Sequence, residues 1–133
     1  SVVVDIERIG DYTKNIYELA INHPKKLNGF LFEENLLQIE TNTKNLFNDT
    51  IKTFKNQNLN EARKIMKDYK KGISKQCDEI TNTIISSKAD IDADSAAAIA
   101  LYARYLKRIS AHSRNLISSI VNPFERIGYP EEK

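Results

Sequence analysis

Residues 4–16 read V-D-I-E-R-I-G-D-Y-T-K-N-I, and residues 104–116 read R-Y-L-K-R-I-S-A-H-S-R-N-L. When the two stretches are superimposed, their identical positions are Arg8/Arg108, Ile9/Ile109 and Asn15/Asn115. Apolar residues also match between the two stretches. Two related helical stretches so far apart predict an internal repeat, and a repeat outweighs local propensity when a fold class is chosen.

The two copies differ at two acidic positions. Glu7 and Asp11 are four residues apart, so a helix would project both carboxylates from one face. In the second copy these positions hold Lys107 and Ala111. The first copy therefore carries a carboxylate pair, and the second copy carries none.

The residues E-R-I-G-D at 7–11, followed by a small polar run and N-I, resemble the signature that ends the three-helix repeat of the PhoU family. Residues 104–116 resemble the same signature in a second repeat. This resemblance implies an all-helical bundle, a role in regulating phosphate uptake and, in some members, metal clusters held by acidic E/D-x-x-x-D motifs.

The same resemblance implies a layout for the chain. The first helix would be the last helix of a preceding repeat, and residues 30–122 would form one complete three-helix repeat. The chain is then expected to be a fragment of a longer protein, either a soluble regulator or the C-terminal domain of a sodium/phosphate-cotransporter-like protein. The first helix is expected to pack on this repeat or on a second copy, as a swapped dimer.

Composition sets broad limits on the function. The 133 residues are 41% hydrophobic and 29% charged, which is typical of one soluble domain with a filled core. No apolar run approaches the ~18 residues of a membrane-spanning helix. A net charge of +2 does not by itself indicate a nucleic-acid or membrane surface, and a single cysteine excludes an internal disulfide. We therefore expect a cytoplasmic protein.

Apolar spacing predicts four helices, at about 2–22, 31–56, 59–86 and 94–122, joined by short loops. No segment alternates with period two, so the expected fold is an all-α antiparallel bundle. Gly72 inside the third helix is expected to mark close packing or a local irregularity. The inward stripe of the first helix is predicted to be Val2, Ile6, Ile9, Thr13, Ile16 and Ala20.

Glu7 and Asp11 are the candidate metal ligands. Two carboxylates suit a hard or borderline cation, but a site normally needs more ligands than two. Three interpretations remain open: a solvated helix face, a cluster of iron, zinc or another divalent metal, and an ion pair across the bundle with Lys107 or Arg108. No cofactor is expected on balance.

Two further residue types bear on catalysis. His112 lies beside an apolar stripe and is interpreted as a structural residue or as a remaining ligand position. Cys77 falls on an inward stripe, where a thiol usually serves as inert filling. No histidine is placed by the sequence to activate Cys77, so the chain is predicted not to be an enzyme.

Basic residues are the candidates for partner docking or ion pairing, namely Arg8, Arg104, Lys107 and Arg108. They form either a solvated face or a docking surface for an acidic partner. Nucleic acid is disfavoured because acidic residues are interspersed and no stacking aromatics accompany the lysines. Contact with a membrane is expected only through a transporter partner or through spans upstream of this chain.

We predict a regulatory or adaptor domain that controls phosphate uptake by binding a transporter or sensor-kinase component at the inner face of the membrane. The chain is also expected to be a homo-oligomer. The alternatives are a metal-binding bundle, as a metal-dependent enzyme or metal store, and a structural oligomerising helical domain.

Overall fold

The computed structural model describes residues 2–23, 28–69 and 72–122, together with Glu131. The elements in these ranges are α1 (Val2–Asn22), a 3₁₀ turn (Phe30–Phe32), α2 (Glu33–Asn56), α3 (Leu59–Asp68), α4 (Gly72–Ile85) and α5 (Ala93–Val121). No strand occurs in these ranges, which confirms the predicted all-α class. No helix of the described part is long and apolar enough to cross a membrane.

Local chemistry accounts for several helix ends. α1 ends at Asn22, just before the His23-Pro24 pair, because the residue that precedes proline is pushed out of the α region. Gln57 adopts a left-handed conformation with φ of 50° and stops α2. The next residue, Asn58, caps α3 by accepting a hydrogen bond from the backbone N–H of Glu61 at 3.1 Å.

The predicted third helix is divided into two. α3 ends at Asp68, Tyr69 leaves the helical region with ψ of 36°, and α4 begins at Gly72. A β-carbon added at Gly72 would meet nothing within 4 Å. Gly72 therefore marks a local irregularity in the chain, and close packing does not require it.

The longest helix, α5, is the centre of the bundle, and α1, α2, α3 and α4 all pack against it. Small buried residues such as Ala98, Ala103 and Ser113 let the neighbouring helices approach α5 closely. Ile39, Ile80 and Ile99 are almost completely buried around them. Burying one such side chain contributes about 1.5–3 kcal/mol, so this core stabilises the unit formed by α2 to α5.

α1 lies antiparallel to α5. Asp5 contacts His112, Ile9 packs in one cluster with Ile109, and Tyr12 faces Tyr105, so positions rise along α1 as they fall along α5. The first helix therefore packs on this repeat within the same chain.

The predicted inward stripe of α1 is partly wrong. Ile9 and Ile16 face the bundle, but Ile6 is 52% exposed, and Thr13 and Ala20 are exposed as well. The face that packs on α5 is formed by Val2, Asp5, Ile9, Tyr12, Ile16 and Leu19. The difference arises because an aspartate occupies one inward position of α1, so counting apolar residues leads to the neighbouring Ile6.

Candidate functional site

A buried polar cluster joins α1 to α5. We define it as Asp5 together with Arg108, His112 and Asn115. Asp5 is 6% exposed and His112 is 9% exposed. The Asp5 Oδ1 atom lies 2.7 Å from His112 Nδ1, and Asn115 Nδ2 donates a second hydrogen bond to the same oxygen at 3.1 Å. The cluster thus holds a carboxylate inside a largely apolar helix contact.

The position of Arg108 fixes the proton on the imidazole. Arg108 Nη2 lies 3.3 Å from His112 Nε2. A guanidinium can only donate hydrogen bonds, so Nε2 must accept, and the ring proton must be on Nδ1. Nδ1 of His112 then donates the hydrogen bond to Asp5 Oδ1. The imidazole connects a cation on one side to an anion on the other.

Two tyrosines border the polar cluster. The ring of Tyr12 stacks on the imidazole of His112 with centroids 6.0 Å apart and an interplanar angle of 22°. Tyr12 also lies 6.1 Å from the ring of Tyr105. These rings reduce the access of water, and a lower local dielectric strengthens the hydrogen bonds of the cluster.

Sequence reasoning missed Asp5 and placed His112 only beside the stripe. A signal for Asp5 was present, because it stands where the spacing that runs through Val2, Ile9 and Ile16 requires an inward residue. A charged residue at such a position needs a buried partner. The predicted structural interpretation of His112 agrees with the hydrogen bonds that this residue makes to Asp5 and Arg108.

The candidate metal ligands Glu7 and Asp11 lie on the exposed side of α1. Within the described ranges, no three His, Cys, Asp or Glu side chains come together in a group that could hold a metal ion. The structure therefore does not bring a third ligand of these types to Glu7 and Asp11 within those ranges.

The basic residues have different surroundings from those predicted. Lys107 Nζ pairs with Asp78 Oδ1 of α4 at 2.6 Å, and Arg108 belongs to the polar cluster. The sequence suggested an ion pair of Glu7 and Asp11 with Lys107 or Arg108. In the structure, both basic residues have other partners. Arg8 and Arg104 are exposed and form no ion pair among the described residues. They are the two predicted docking residues that solvent reaches freely.

Cys77 lies in the core between α4 and α5 and is 1% exposed. Burial raises the pKa of its thiol to about 12. A thiol that keeps its proton at neutral pH is a poor nucleophile. This agrees with the interpretation of Cys77 as inert filling.

A groove of about 700 Å³ lies between the end of α1, the start of α2 and α5. Its apolar walls include Ala20 and Leu37, and its polar lining includes Glu33, Glu40 and Tyr102. Burial and the nearby Glu40 carboxylate raise the pKa of the Tyr102 phenol. The groove is open to solvent on its outer side.

Comparison with protein families gives one match. The model of the PhoU domain matches residues 36–120, which extend from α2 through most of α5. The match thus covers the unit formed by α2 to α5 and leaves α1 outside it. No curated protein and no solved structure matches the chain.

Proposed function

Because the chain belongs to the PhoU-domain family, a family of phosphate-transport regulators, we propose that it acts as an adaptor domain in the control of phosphate uptake. It would bind a component of a phosphate transporter or of a phosphate sensor kinase and shift that component between active and inactive states. The observation that supports this proposal most is the family match over α2–α5.

The exposed arginines suggest where such a partner would bind. Arg8 lies on α1 and Arg104 on α5, and these two helices pack side by side. Arginine is enriched among residues that dominate protein interfaces, because its planar guanidinium pairs with two carboxylate oxygens at once. An acidic surface on the partner would complement this pair.

The mechanism that we propose needs no covalent chemistry. α5 contacts α1, α2, α3 and α4. A partner bound along the α1–α5 face would therefore contact the helix against which the other described helices pack. The shift that such a partner undergoes equals the difference in its binding free energy between the two states. The adaptor would therefore act by binding one state of its partner more tightly.

Direct binding tests the proposal. The purified chain would be titrated against the cytoplasmic parts of the phosphate transporter and of the phosphate sensor kinase of the same organism, with biolayer interferometry as the readout. We expect saturable binding to one of the two. Arg104→Glu should weaken it about tenfold or more, as expected for loss of an interfacial charge pair.

Lys64→Glu is the matched control, because Lys64 is also exposed but lies on α3. This variant changes the net charge by the same amount and should leave the affinity within about twofold. Failure to bind either component, at concentrations where the folded chain stays soluble, would contradict the proposed function. An equal loss of affinity in both variants would contradict only the proposed location of the interface.

A further inference from the structure

The turn that leads into α2 holds Asn28 and Gly29 in a closed arrangement. Asn28 is exposed, and its Oδ1 atom accepts a hydrogen bond from the backbone N–H of Phe30 at 2.8 Å, so its side chain folds back along the peptide that follows it. Gly29 is buried, and its own N–H donates to the Oε2 atom of Glu33. The turn thus places a side-chain amide beside a backbone nitrogen whose proton already points at a carboxylate.

We propose that Asn28 is a site of covalent self-modification, at which the carboxylate of Glu33 promotes attack of the Gly29 backbone nitrogen on the side-chain amide of Asn28. The product is a cyclic succinimide, which water opens to aspartate or isoaspartate at position 28. The reaction needs no enzyme other than the folded chain itself. This proposal does not rest on the proposed regulatory function.

Each hydrogen bond of the turn serves one part of the reaction. As the nitrogen of Gly29 forms a bond to Cγ of Asn28, it gives its proton to the carboxylate of Glu33. One electron pair of the Cγ–Oδ1 double bond moves onto Oδ1, where the Phe30 N–H stabilises the negative charge. When this pair returns, the Cγ–Nδ2 bond breaks, and Nδ2 leaves as ammonia with the proton from Glu33. Water then adds to one of the two ring carbonyls, so one water is consumed, one ammonia is released and nothing is oxidised or reduced.

The 3₁₀ turn holds Glu33 against Gly29. Phe32 is 3% exposed, and its backbone N–H donates to the carbonyl of Gly29 at 2.8 Å. A β-carbon added at Gly29 would come within 2.7 Å of the Glu33 Cα atom, so only glycine fits there, and no side chain screens its nitrogen. Phe30 has a φ of 51°, which a bulky residue adopts only where its surroundings impose it. The base and the attacking nitrogen are therefore held together before the reaction begins.

The chemical type of the acceptor decides whether the turn promotes or prevents the attack. A carbonyl oxygen on the Gly29 N–H would only restrain the nitrogen, because it does not take up a proton at neutral pH. A carboxylate takes up the proton and returns it, as a general base must. A positioned general base contributes about 10²–10⁴-fold to a rate, against about ten- to hundredfold for the restraint of one such hydrogen bond. The balance favours promotion by Glu33.

The two products have different consequences for the chain. Either one adds a negative charge at the groove between α1 and α2, because Gly29 and Glu33 both line that groove. Aspartate keeps the hydrogen bond from Phe30, since a carboxylate oxygen accepts as an amide oxygen does. Isoaspartate carries the main chain through Cγ and lengthens it by one atom, so this product disturbs the path of the chain into α2.

Comparison of the folded and unfolded chain tests the proposal without any substitution. The purified chain would be incubated at one neutral pH, both in native buffer and in guanidinium chloride. Peptide mapping by mass spectrometry would follow the loss of ammonia and the exchange of amide for carboxyl at Asn28, with fragmentation to distinguish aspartate from isoaspartate. We expect the folded chain to react about tenfold or more faster, since only the fold brings Glu33 to the Gly29 N–H.

Glu33→Gln tests the role of the base. Glutamine keeps the size of the side chain and an oxygen acceptor but does not take up the proton, so the rate in the folded chain should fall about tenfold or more. The rate in guanidinium chloride should not change. Glu34→Gln is the matched control, because Glu34 is the other acidic residue in the first turn of α2 and its loss changes the net charge equally. It should leave the rate within about twofold.

Asn58 serves as an internal comparison in the same digest. Its Oδ1 atom also accepts a backbone N–H, from Glu61, but Leu59 and not glycine follows it. Modification of Asn58 as fast as that of Asn28 would overturn the proposal. A folded chain that reacts no faster than the unfolded chain would overturn it as well. Faster reaction of Glu33→Gln, with circular dichroism showing folded helices, would show that the hydrogen bond from Gly29 protects Asn28, which is the opposite of the proposed role.

Discussion

Replacing Asp5 by alanine should destabilise the protein, because it breaks the polar cluster that joins α1 to α5. The substitution removes the acceptor of two hydrogen bonds, at 2.7 Å from His112 and 3.1 Å from Asn115. The side chains of Asp5 and His112 are only 8% and 11% exposed. The donor on His112 would therefore remain buried with little access to water.

The expected loss follows from these contacts. Hydrogen bonds to a charged group contribute about 1.5–3 kcal/mol each in mutational series, and an unsatisfied buried donor adds to the loss. Part of this is offset because Asn115 is only partly buried and can turn toward solvent. We expect Asp5→Ala to lower the free energy of unfolding by about 2–4 kcal/mol. This loss is a large part of the total stability of a domain, which is about 5–15 kcal/mol. It should lower the midpoint of thermal unfolding by roughly 10 °C.

Urea unfolding followed by circular dichroism measures this change, with a double-mutant cycle to isolate the pair. Asp5→Ala, His112→Ala and the double variant should give a coupling free energy of about 1.5–3 kcal/mol. Glu7→Ala is the control on the same helix, since Glu7 is exposed, and it should change stability by less than about 0.5 kcal/mol. A coupling below about 0.5 kcal/mol would refute the reasoning, because Asp5 and His112 would then contribute independently.

Four further predictions concern other parts of the chain. The thiol of Cys77 should react with Ellman's reagent in the native protein at pH 8 only as fast as the protein unfolds, and equally fast labelling of native and urea-unfolded protein would contradict its burial. The folded state raises the pKa of Cys77 from its ordinary value of 9.0 to about 12, so the related stability is complete below pH 9 and is lost as the pH rises toward 12. Urea titrations at increasing pH should show this loss of stability, and Cys77→Ala should make the loss smaller. The raised pKa of Tyr102 acts in the same direction, so Tyr102→Phe should make the loss smaller too. Gly72→Ala should be tolerated and stabilise the protein by about 0.4–1 kcal/mol in thermal unfolding, because an added β-carbon meets nothing within 4 Å; a loss of stability would contradict this. Glu7→Ala with Asp11→Ala should leave the metal content measured by mass spectrometry unchanged, whereas stoichiometric iron or zinc that is lost in this variant would support the metal-binding alternative.

The helices themselves could be predicted from the sequence because the signals for them are local. Apolar spacing identified the stretches that form α1, α2 and α5. The class of fold followed from the same signals, since no stretch alternates with period two. The break after Asp68 was foreseen only as an irregularity at Gly72, because local propensities on both sides of it still favour helix.

The polar cluster could not be predicted, because its parts are far apart in the chain. α1 carries two apolar stripes, and a count of apolar residues favours the one that contains Ile6 over the one that contains Asp5. Asp5 becomes the better inward residue only when His112, at a separation of 107 positions, supplies a donor. The partner of Lys107 was missed for a similar reason, since Asp78 lies on a helix whose rotation the sequence does not specify.

The unequal burial of the first and last helices has a consequence for how such a protein changes over evolution. α5 has twelve buried residues, whereas α1 has two. Most substitutions in α5 would disturb the packing of several neighbours at once, so its sequence is tightly constrained. The outward side of α1 is free to diverge while the remaining helices keep their structure. New binding preferences can therefore arise on α1 without a new fold.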